Sequence, residues 1–96
     1  MKQTFLTLTF LIAAFLTTPA DAAECFADYK AKKDNPLKLH YGVVQLYEGC
    51  TKASAETEIA PRIARDGWSL LNVLSVFDAS KLSGKEANAG QFYLRY

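Results

Sequence analysis

One histidine, one tryptophan, two cysteines and a net charge of +1 mark out what this 96-residue chain has little of. His40 stands alone, and zinc sites draw several ligands at set spacings, so neither a metal nor a cofactor is expected. The near-neutral charge lacks the basic footprint of a nucleic-acid binder, and no nucleic-acid partner is expected. There is no Cys-x-x-Cys pair, the spacing that lets catalytic thiols exchange within one turn. Ser83-Gly84-Lys85 lacks the earlier glycine and the strand-to-helix setting of a phosphate-binding loop. Internal repeats and low-complexity tracts are absent. The longest apolar run, Phe5 to Leu16, falls short of the ~20 residues that cross a bilayer.

That run fits a different role. Lys2 is the only charge before Asp21, and the apolar stretch is followed by Thr17, Thr18, Pro19 and the small-x-small triplet Ala20-Asp21-Ala22. These are the three regions of a signal peptide in order, so residues 1–22 are expected to be removed after Ala22. Residues 23–96 then form a single periplasmic or secreted domain. Glu24 precedes Cys25, where a lipid-anchored cysteine needs a small residue, so no stable membrane anchor is expected. Lys2 and Asp21 cancel, and the exported part keeps its net charge of +1.

A domain this short is only marginally stable on its core alone. Cys25 and Cys50 both lie in the exported part, where thiols oxidise, and they offer one intramolecular pairing. Closing that loop is expected to stabilise the fold by roughly 3–4 kcal/mol.

The pattern predicts an α+β domain of helix, strand, helix, strand, loop and strand. Cys25, Phe26 and Tyr29 recur at helical spacing, which predicts a short N-terminal helix over Cys25 to Lys33 that ends before Pro36. Leu37 to Tyr47 reads as a strand with apolar groups on both faces. Ser54 to Asp66 reads as the main helix, with Ser54 at its N-cap and Gly67 past its end. Pro61 predicts a kink or a break inside it. Trp68 to Phe77 is the strongest strand, although its alternation slips near Leu70-Leu71, as at a bulge or in a strand covered on both faces. After a long polar loop, Gln91 to Tyr96 is expected to close a three-stranded mixed sheet. The expected order places this last strand between the other two, antiparallel to both, with the tryptophan strand as the rival centre.

A helix ending Asp66-Gly67-Trp68, then Leu70, Asn72 and Val73, and a closing Phe92-Tyr93-Leu94-Arg95 resembles a bacterial family of small β-α-β-β domains of unknown function. The resemblance covers about Leu39 to Tyr96. From Glu24-Cys25-Phe26 onward the chain also looks like small exported hypothetical proteins of alphaproteobacteria. It departs from the broader family in its leader, its N-terminal helix, its two cysteines and Pro61. The resemblance implies a fold and no activity.

No catalytic residue is expected. His40 reads as an ordinary strand histidine, and its functional alternative is a base working with Asp28 or Tyr41. Trp68, Tyr41, Tyr47 and Phe92 are expected to fill a small core, with Tyr93 and Tyr96 at the surface. Lys30, Lys32, Lys33 and Lys38 read as solvated surface, with anionic head groups or wall polymers as the functional alternative. Tyr93, Tyr96, Lys30 and Lys33 are thus the candidate contact residues. The expected function is a non-catalytic interaction or structural module of the cell envelope, forming a homodimer or meeting an envelope protein. An envelope binder of peptidoglycan or peptide is the alternative, and an enzyme comes third.

Overall fold

The computed structural model describes residues 24–96. The signal peptide expected over residues 1–22 lies outside the described residues. Strands β1 (Cys25–Lys33) and β2 (Lys38–Leu46) form a hairpin, helix α1 (Lys52–Ala64) follows, and β3 (Ser69–Asp78) completes a three-stranded sheet. A 3₁₀ turn (Ala79–Lys81), helix α2 (Lys85–Ala89) and a second 3₁₀ turn (Gly90–Phe92) close the chain. The sheet order is β2-β1-β3, and both pairings are antiparallel.

The chain is α+β, but the expected N-terminal helix is a strand, and it is the central one. Its period of two was hidden by small side chains. Cys25, Ala27, Tyr29 and Ala31 face α1, and the alanines are small because the helix packs close above them. On the opposite face Phe26 and Asp28 are buried and Lys30 and Lys32 follow toward solvent, so the alternation is present but carried largely by alanines and lysines, which suit a helix equally well.

The sheet is antiparallel throughout rather than mixed, its element order is strand, strand, helix, strand, and the expected central slot has a different occupant. β2 and β3 run parallel to each other, each antiparallel to the strand between them. That strand comes from the N-terminal side, because the tight turn Asp34–Leu37, with a cis Asn35-Pro36 bond, folds β1 directly back on β2. The sequence Gln91 to Tyr96, expected as the central strand, contributes one isolated bridge, Tyr93 to Val43 on the outer edge of β2. The 3₁₀ turn before it and the left-handed backbone of Leu94 (φ 55°) prevent an extended run, and the Leu94 amide donates to the Val43 carbonyl at 2.8 Å. The polar stretch after Asp78 is not a plain loop either, since it holds α2.

α1 begins two residues before the expected start. Thr51 is the N-cap, and its hydroxyl accepts from the Ser54 amide while the Ser54 hydroxyl accepts from the Thr51 amide. Pro61 sits on the exposed side and the helix runs through it to Ala64. Gly67 takes the expected left-handed conformation, φ 86°. The helix lays Ala55, Ile59 and Ile63 on Ala27, Tyr29, Ala31, Val44, Leu46, Val73 and Trp68, and these ten residues are the main core cluster, with Phe26, Val43 and Ala89 also buried. Gly42 is part of this fit: a Cβ there would stand 2.6 Å from Cζ of Tyr29, whose ring crosses the space.

The slip in the β3 pattern is a pair of bulges. Tyr29 pairs Val73 while Asp28 pairs Ser75, and Ala31 pairs Leu70 while Lys30 pairs Asn72. Leu74 and Leu71 are the residues left without partners, and both are exposed. The bridge Cys25–Cys50 is formed, with Cα atoms 5.8 Å apart, and ties the start of β1 to the segment that leads into α1. It is compatible with an oxidising, exported environment.

Candidate functional site

Strand alternation sorts the chemistry-bearing side chains onto two faces. His40 faces α1, whereas Tyr41, its neighbour, faces the other way with Asp28. The pairing that a His40 base would need with Asp28 or Tyr41 is therefore not made.

His40 instead lies inside an aromatic cluster. Its ring stacks on Phe92 with centroids 3.6 Å apart and meets the Trp68 and Tyr29 rings edge-on at 4.3 and 5.3 Å. The Tyr29 hydroxyl and His40 Nε2 share a hydrogen bond of 2.9 Å, whose direction depends on the tautomer. His40 Nδ1 is buried without a partner among the described residues. Lys33 lies over the Trp68 ring, 4.5 Å from its centroid. Burial, and secondarily the Lys33 ammonium, hold the imidazole pKa down to about 4. The Tyr29 hydroxyl is pushed above its ordinary value, chiefly by burial. The neutral imidazole is held by packing against three rings and one hydrogen bond.

This cluster predicts a pH dependence of stability. The unfolded histidine takes up a proton near pH 6.5, and the folded one resists until about 4. Between those values the unfolded state binds more protons, so stability is complete above pH 6.5 and falls as the pH drops toward 4. The loss should reach up to about 3 kcal/mol. Urea midpoints measured from pH 7.5 to 4 should show this slope, and a His40→Gln variant should lose most of it.

On the opposite face, Asp28 accepts hydrogen bonds from Tyr41 Oη at 2.8 Å and Ser75 Oγ at 2.7 Å, with Lys85 Nζ at 3.4 Å. Burial raises its pKa, but the hydroxyls of Ser75 and Tyr41 and the Lys85 ammonium outweigh this and leave it lowered. All of its partners are internal, and they fasten α2 over this half of the sheet. Lys85 also lies over the Phe77 ring. From there the C-terminal segment wraps round the β2 edge, so Phe92 and Tyr96 reach the α1 side of the sheet.

Beyond this strap the same face is open. A hollow of about 260 Å³ lies among Lys30, Leu39, Tyr41 and Leu71. A wider groove of about 570 Å³ runs between α1 and the outer edge of β3, walled by Ala60 and Ala64 on one side and Ser69 to Asn72 on the other. Among the described residues nothing pairs with that edge.

Of the candidate contact residues, Lys30 is exposed beside the hollow, and half-buried Lys33 is held over Trp68. Tyr93 and Tyr96 are half-buried: Tyr93 bridges Val43, and Tyr96 donates to Asp66 and stacks near Phe92. The open edge of β3 was missed as a site because edge and centre are properties of strand order. Its signal was the alternation slip at Leu70-Leu71. Among the described residues no cluster of metal-ligating side chains occurs, and no helix is long and apolar enough to cross a membrane. Compared with protein families, characterised proteins and solved structures, the chain matches none of them.

Proposed function

We propose that this chain is a non-catalytic protein-interaction module, exported through a cleaved leader to the periplasm, that associates through the outer edge of β3. The simplest partner is a second copy, giving a homodimer; the same edge would take a strand of an envelope protein. One observation carries the reading. β3 is a ten-residue edge strand with no charge, proline or glycine from Ser69 to Phe77, and it exposes Leu71 and Leu74. Solitary edges are normally blunted with lysine or proline, because unpaired amides and carbonyls recruit other strands. Here bulges are the only such device, and each one carries a leucine outward. The small residues Ala60 and Ala64 leave room along the edge for an added strand.

Size-exclusion chromatography with light scattering, on protein expressed from the full chain with its disulfide formed, tests this. The mass should be that of a dimer, and Leu74→Glu should return it to a monomer with an unchanged fold by circular dichroism. A monomer of the unsubstituted protein at high concentration overturns the homodimer.

A further inference from the structure

The charge of the described residues is divided unevenly along the chain. From Lys30 to Tyr41, the facing halves of β1 and β2 and their turn, there are four lysines and one aspartate, a net +3. The rest of residues 24–96 carries six basic and eight acidic groups, a net −2. One end of the domain is thus cationic and the remainder anionic, and a negatively charged surface would orient it hairpin first.

The same end is apolar at its tip. Leu37 and Leu39 are 64% and 65% exposed, more than any other leucine in the described structure, and they bracket Lys38. Leu39 continues into the hollow with Tyr41, Leu71 and the stem of Lys30. Lys30 and Lys38 are exposed; Asp34 meets Lys32 at 3.3 Å on an exposed turn, and the Asp28 carboxylate behind Tyr41 is buried and already held by Tyr41, Ser75 and Lys85. Two projecting leucines set among lysines suit a medium that is anionic at its surface and apolar just beneath. A charged wall polymer would satisfy the lysines but offer nothing to the leucines.

We propose that the β1–β2 hairpin is a docking element for an anionic lipid bilayer surface, with Leu37 and Leu39 entering the interfacial layer while Lys30, Lys32 and Lys38 lie at the level of the phosphates. Binding is peripheral and reversible, since it rests on two leucines and a few charges. It uses the hairpin end of the sheet and needs no partner on the β3 edge.

Co-sedimentation of the disulfide-intact protein with large unilamellar vesicles tests the assignment. Vesicles with about a third phosphatidylglycerol in phosphatidylcholine should carry the protein down at low salt, pure phosphatidylcholine should not, and high salt should release it. Lys30→Gln and Lys38→Gln should each weaken binding about five-fold, from the surface energy of one lysine. Leu37→Ser with Leu39→Ser should weaken it about ten-fold or more, while circular dichroism shows the native fold because both side chains are exposed. The monomeric Leu74→Glu protein should still bind, which separates this surface from the β3 edge. Absence of binding to anionic vesicles overturns the proposal. Binding that ignores the leucine substitutions would assign the lysines to a polyanion and overturn it too, and loss of binding in Leu74→Glu would overturn the hairpin as a sufficient site.

Discussion

Replacing Cys25 and Cys50 together with serine should lower the unfolding free energy by about 3–4 kcal/mol, read as a shift of the urea midpoint at constant slope. The sulfur bridge spans 25 positions of sequence and closes the whole β1–β2 hairpin into one loop. Releasing it returns conformational freedom to the unfolded chain, while the native strands still have their ladders. The location adds to the effect. Cys25 begins the central strand, and Cys50 immediately precedes the Thr51 cap of α1, so the bridge aligns the helix start with the sheet. In a domain whose main core cluster has ten residues, a loss of this size is a large part of the total. A change below about 1 kcal/mol would mean that the unfolded chain is already compact at this end.

The second large effect is expected at Arg62. Its guanidinium meets the Glu58 carboxylate at 3.0 Å one turn away on α1, donates to the Gln45 carbonyl at 3.0 Å, and donates through Nε and Nη2 to the Tyr96 carbonyl. Glu58 in turn accepts from the amides of Tyr47 and Glu48, at 2.9 and 3.1 Å, where the chain leaves β2. Both side chains are shielded, 15% and 5% exposed, so the pair does not behave like a solvated surface bridge. Arg62→Ala should cost about 3–5 kcal/mol, because it leaves a buried carboxylate without its countercharge and frees the C-terminal strap. Thermal melts should show the loss, and amide exchange should show Leu94, whose amide bonds Val43, opening before the sheet. The double variant Arg62→Met with Glu58→Gln should lose less than the single one, since no unpaired charge stays buried.

Arg62 also illustrates a limit of reading in one dimension. In sequence it stands as a basic residue in the last turn of a helix, favourable to the helix dipole. Folding adds contacts 17 and 34 residues away, which make it the clasp between helix, strand and C-terminus. Glu58, one turn earlier on the same helix, is likewise an ordinary helix acid in sequence, and only its burial against the end of β2 makes it the acceptor of the Tyr47 and Glu48 amides.

Local rules determined what depends on neighbours in the chain. The two thiols had only each other to pair with, Gly67 had to adopt a positive φ, the stripe Ala55, Ile59, Ile63 had to face a core, and Trp68 to Phe77 was extended with a defect at its leucines. Strand order came from the tertiary structure alone. Residues Cys25 to Lys33 are too small and too charged to declare a strand, and become one because β2 and β3 supply amides and carbonyls on both sides while α1 settles on their alanines. That arrangement leaves β3 at the edge and the lysine-leucine hairpin at one end. Pairing between distant segments, whose partners no local pattern names, decided which surfaces this protein has to offer.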